Sequence, residues 1–106
     1  MNVDQLLRIL GELDVVEKVA RGDTWPQCQE IIGKTIEGAP FFIYIYKGRH
    51  STETILRITP TPQDCVQALY TPNALYTIPL DKNKLKQSLT IKIKTTTKIH
   101  QQQPKQ

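Results

Sequence analysis

A chain of 106 residues with 39% hydrophobic side chains is of single-domain size, and a chain this long buries roughly two thirds of the surface its unfolded form exposes. The net charge of +4 hides an asymmetry: residues 1–80 carry seven basic against nine acidic side chains, net −2, while residues 81–106 carry seven lysines against Asp81 alone, net +6. No apolar run reaches the length of a membrane span, and Asp4, Arg8, Glu12 and Asp14 interrupt the N-terminal apolar pattern, so neither a membrane partner nor a secretory leader is expected and the default compartment is cytoplasmic.

In chain order, Asn2 with Gln5 reads as a helix cap, and Leu6, Ile9, Leu10, Leu13, Val16, Val19 and Ala20 recur at helical spacing. Arg8/Glu12, Asp14/Lys18 and Glu17/Arg21 are opposite charges four apart, and Gly22 suits a left-handed terminus. A first amphipathic helix is expected, with a break near residues 11–14 as the alternative, because Gly11 costs about 1 kcal/mol inside a helix. After Trp25-Pro26 the pattern turns extended, over residues 27–36 with Gly33 as a bulge or turn, and over 41–47. With a turn at 48–51 and a β-rich return at 52–58, residues 41–58 read as an antiparallel hairpin.

Thr61, Pro62 and Asp64 read as the cap of a short second helix carrying Cys65, Val66, Ala68, Leu69 and Tyr70, which stops at Pro72-Asn73. Residues 74–80 suit an edge strand because of Pro79. A polar turn or short helix at 81–88 precedes Leu89, Ile91 and Ile93, which alternate with Thr90, Lys92 and Lys94 as in a last strand. The expected fold is α+β: a small antiparallel sheet of about four or five strands packed against an N-terminal helix, with a second short helix. Residues 1–94 form one domain, and the glutamine-rich residues 95–106 form a flexible basic tail.

Few patterns here carry chemistry. The Gly33-Lys34-Thr35 run lacks the upstream phosphate-loop glycine, whose place Cys28 takes, and no cofactor is implied. Cys28, Cys65, His50 and His100 match no zinc spacing; a single disulfide is possible in principle, but without an export signal the cysteines read as reduced, buried thiols. Cys65 at a helix start and His50 in a turn are the sole candidates for an enzyme. Asp64 opposes thiolate formation at Cys65 and no histidine is placed as its base, so a non-enzyme is expected.

Two surfaces remain. Phe42, Tyr44 and Tyr46 share one face of a strand whose other face holds Phe41, Ile43 and Ile45; that aromatic face is either covered within the monomer or meets a protein partner. Lys82, Lys84, Lys86, Lys92, Lys94 and Lys98, with Lys47, Arg49 and His50 in the hairpin turn, form a candidate polyanion strip. Outward lysines on a strand also deter edge pairing, and the absence of arginine from the strip weakens specific recognition of bases or phosphates. The expectation is a non-catalytic accessory or regulatory protein acting through protein–protein interaction, with a nucleic-acid binder as the alternative and homo-oligomerisation left open.

Overall fold

The computed structural model describes residues 3–26, 28–47, 54–69, 75–77 and 81–101. The chain is α+β, with element order α1 (Val3–Gly11), β1 (Val16–Trp25), β2 (Cys28–Thr35), β3 (Pro40–Lys47), β4 (Thr54–Thr59), α2 (Cys65–Leu69), β5 (Leu75–Thr77) and α3 (Lys82–Gln101). Sequential neighbours pair antiparallel in a five-stranded sheet of order β1-β2-β3-β4-β5.

The first helix is shorter than its periodicity suggests, and the break at residues 11–14 is real. Gly11 is the last helical residue, and the turn closes tightly through Glu12 N to Ile9 O and Leu13 N to Leu10 O, at 3.0 and 3.1 Å. Beyond the break the chain becomes a strand: Val16 and Val19 are β-branched, and β1 pairs with β2 from Val16 opposite Thr35 to Trp25 opposite Cys28. Three of the charges that looked paired along a helix reach other parts of the chain instead, Arg21 to Asp4, Glu17 to Lys34 and Glu12 to Lys86.

Gly33 is neither bulge nor turn. It lies in unbroken register between Val19 and Phe41, and a Cβ there would collide with the Phe41 ring, so the missing side chain makes room for a fully buried aromatic. The irregularities fall in β1, between Val16 and Lys18 and between Arg21 and Thr24. Gly38, at φ +88°, closes the β2–β3 hairpin, where the Ala39 N–H bonds to Thr35 Oγ1 at 3.0 Å.

One sheet face, with Ile31, Phe41, Ile43, Leu56 and Ile58, packs against Leu6 and Leu10 of α1 and Leu85, Leu89 and Ile93 of α3 in a single core. The last strand expected at residues 89–94 is therefore a helix. Leu85, Leu89, Ile93 and Thr97 are buried at intervals of four, whereas Ile91 is exposed. Asp81 starts this helix by accepting the N–H groups of Asn83 and Lys84 at Oδ1, 2.8 and 3.2 Å away.

The helix continues past residue 95. Thr97 is buried, and its hydroxyl donates to Ile93 O one turn earlier in the same helix at 2.8 Å; residues 102–106 lie outside the described ones. α2 is capped by Asp64, three residues beyond the Thr61 cap that the sequence suggests. Asp64 Oδ1 accepts the Gln67 N–H at 2.7 Å, and the Thr59 hydroxyl bonds to Thr61 O instead. The hairpin turn at 48–51, with Arg49 and His50, and the stop at Pro72-Asn73 fall outside the described residues.

Candidate functional site

The second sheet face is the one that carries Phe42, Tyr44 and Tyr46, and α2 covers it within the monomer. Tyr44 is fully buried, and Phe42 and Tyr46 are half-buried in a cluster with Cys28, Cys65, Ala68 and Trp25. Both hydroxyls are used internally. Tyr44 Oη donates to Glu30 Oε2 at 2.8 Å and accepts the Gln63 N–H at 2.6 Å, while Tyr46 Oη donates to Cys65 O at 2.7 Å. An open aromatic platform for a partner or for stacked bases is not what this face presents, since the loop and helix following β4 lie over it.

The cysteines expected as free thiols form a disulfide, Cys28 to Cys65, with Cα atoms 6.1 Å apart. It joins β2 to the first residue of α2, so Cys65 has no thiol to serve as a nucleophile. Sequence spacing carries no hint of this, because the two residues meet only when β2 and α2 are placed over the same sheet face.

Register sets Glu30, Tyr44 and Arg57 side by side across β2, β3 and β4 on this face. All three are buried, an arrangement that needs polar partners. The Glu30 carboxylate is satisfied: Oε1 accepts the Asp23 N–H at 3.0 Å and Oε2 accepts from Tyr44. Gly22 makes room for it, since a Cβ at that position would strike the carboxylate. Burial raises the Tyr44 hydroxyl well above its ordinary value, with the Gln63 N–H opposing and Glu30 reinforcing the shift. Tyr46 is raised by burial too, against the pull of the Arg57 charge.

A second feature lies where the α1–β1 connection, the β2–β3 turn and α3 meet. Ile36 N bonds to Val15 O at 3.0 Å, fastening the turn to the connection, and α3 runs alongside. The result is an open groove of about 690 Å³ with Leu13, Val15, Ile36 and Ile91 among its lining residues. Ile36 and Ile91 are 64% and 63% exposed. Asp14 and Glu37 stand on the side of the connection and turn, Lys86 and Lys94 on the helix side. Glu12 and Lys86 bridge the two sides at 2.6 Å, and the Lys86 hydrogen bond and charge hold the Glu12 carboxyl below the usual carboxylate range.

The predicted lysine strip is redistributed by the helix. Lys82, Lys84, Lys94 and Lys98 are exposed, Lys86 and Lys92 are half-buried, and Lys86 and Lys94 meet the groove. Lys47 ends β3, and Arg49 and His50 lie outside the described residues. Among the described residues no group of His, Cys, Asp and Glu side chains could hold a metal, and no helix is long and apolar enough to cross a membrane. Comparison with protein-family models, curated proteins and solved structures yields no match. Sequence reasoning misses Ile36 and Ile91, because Ile91 faces outward only on a helix and Ile36 reads as the end of a strand rather than as part of a groove.

Proposed function

We propose that this chain is a non-catalytic accessory or regulatory protein that docks a segment of a second protein in the groove of Ile36 and Ile91. The observation that carries the reading is the meeting of these two exposed isoleucines, from distant parts of the chain, in one groove. Single exposed apolar residues are ordinary, but a shared apolar floor with a polar rim is characteristic of interaction sites.

The rim narrows the choice of occupant. Asp14 and Glu37 on one side and Lys86 and Lys94 on the other favour a peptide segment with apolar anchors between a basic and an acidic flank. Nucleic acid is the second reading, since α3 has six lysines and no acidic residue. Three carboxylates around the groove, Glu12, Asp14 and Glu37, would repel phosphates approaching Lys86 and Lys94 and so favour the protein reading there.

A photo-crosslinking amino acid at position 91, with a control at the equally exposed Val66 of α2, tests the proposal. The expected result is an adduct from position 91 alone, lost on Ile36→Asp, to a segment with apolar residues between opposite charges. An adduct to nucleic acid or to a second copy of the chain, equal adducts from both positions, or none from position 91 would overturn it.

A further inference from the structure

Arg57 poses a problem that the rest of its sheet face does not solve. It is 7% exposed, yet among the described residues its Nε and Nη1 have no hydrogen-bond partner. The buried carboxylate in its cross-strand row, Glu30, is separated from it by Tyr44 and is occupied by the Tyr44 hydroxyl and the Asp23 N–H. The Tyr46 hydroxyl donates to Cys65 O, and the ion pairs among the described residues join Arg21 to Asp4, Lys34 to Glu17 and Lys86 to Glu12.

Donors of a permanent charge held out of water without acceptors are strongly unfavourable, and an apolar side chain of similar volume would serve folding better. A guanidinium cannot escape by losing its proton, as a buried lysine does. What it offers is a set of directed N–H donors matched to carboxylate and phosphate oxygens.

We propose that Arg57 is the anchor of an anion-binding site on the α2 side of the sheet, taking a small oxyanion group, carboxylate or phosphate, on its unpartnered Nε–H. The oxyanion supplies an opposite charge and an acceptor for Nε–H. The cover at this place is slight: α2 has five residues, and its Val66 and Gln67 face solvent. The Cys28–Cys65 bond fixes one end of α2 to β2, so the cover can yield without leaving. This site lies across the sheet from α1 and α3 and is independent of the groove.

Thermal melts of the oxidised protein in phosphate, sulfate or acetate, against chloride at equal ionic strength, provide the test, and the order of the three anions separates phosphate-like from carboxylate ligands. The expected result is a saturable rise of about 5 °C with at least one oxyanion. Arg57→Met should abolish that rise while melting no lower than wild type in chloride, and Arg57→Lys should bind at least ~10-fold more weakly. Should Arg57→Met fail to fold, the Nε–H resonance of Arg57 in wild-type protein decides: a saturable shift with the anion supports the site. No oxyanion-specific rise, an equal rise in folded Arg57→Met, or an unmoved Nε–H resonance would overturn it.

Discussion

Tyr44 donates its buried hydroxyl to Glu30 Oε2 at 2.8 Å and accepts the Gln63 N–H at 2.6 Å, so one oxygen joins β3 to β2 and to the segment before α2. Tyr44→Phe keeps the ring and removes only these bonds. A buried carboxylate oxygen then loses its donor, and the loss should be about 1–3 kcal/mol in urea unfolding with an unchanged m-value. A loss under 0.5 kcal/mol would mean that water reaches Glu30 readily.

The same residue sets an alkaline limit. Burial raises the hydroxyls of Tyr44 and Tyr46 in the folded chain, whereas unfolded tyrosines ionise near pH 10. Above that pH the unfolded state binds fewer protons than the folded one, so stability falls as pH rises. Their contribution is complete below pH ~10 and declines above it by up to about 1.4 kcal/mol per pH unit for each tyrosine. Tyr44→Phe should flatten this decline in unfolding measured from pH 8 to 11.

Closing a chain segment 37 residues apart, the Cys28–Cys65 bond should stabilise the fold by ~4 kcal/mol if it acts mainly on the unfolded chain. The paired Cys28→Ser/Cys65→Ser variant should lose most of that in thermal or urea unfolding. Amide exchange should rise first in α2 and around Tyr44, because the cover over that face is tethered there. A uniform rise across α1 and α3 would contradict this ordering.

The helical register of α3 predicts unequal costs along one short stretch. Leu89→Ala and Ile93→Ala remove fully buried side chains and should each cost about 2–5 kcal/mol, whereas Ile91→Ala should stay within about 0.5 kcal/mol. Equal costs at all three positions would fit the alternating strand instead, and chemical denaturation of the three variants separates the two.

That stretch also shows what a single sequence conceals. Leu89, Ile91 and Ile93 alternate as well as any strand, and only the four-residue series Leu85, Leu89, Ile93 and Thr97, with Thr97 polar, marks the helix. The β3–β4 hairpin was legible because Phe41 to Lys47 is dense in aromatic and β-branched residues. The first helix misled beyond Gly11, since Val16 and Val19 fit helical spacing while their branching and the pairing with β2 favour a strand. The groove and the Glu30–Tyr44–Arg57 row were hidden for a different reason. Each is assembled from residues brought together by register or by packing of distant elements, which local pattern does not encode.

Gly33 offers the sharpest test of the sheet register. The Phe41 ring occupies the space a Cβ would take, and Phe41 is fully buried, so Gly33→Ala must displace an aromatic in the main core. A well-packed core answers such insertion with a loss of about 1–3 kcal/mol, even though alanine otherwise suits a regular strand better than glycine. Phe41→Leu alone should also destabilise, by leaving part of the ring volume empty. Combined with Gly33→Ala, the smaller side chain clears the collision, so the double variant should be more stable than the sum of the two single losses implies, by at least ~1 kcal/mol. Additive losses in a double-mutant cycle by urea unfolding would show that Gly33 and Phe41 do not face each other across β2 and β3.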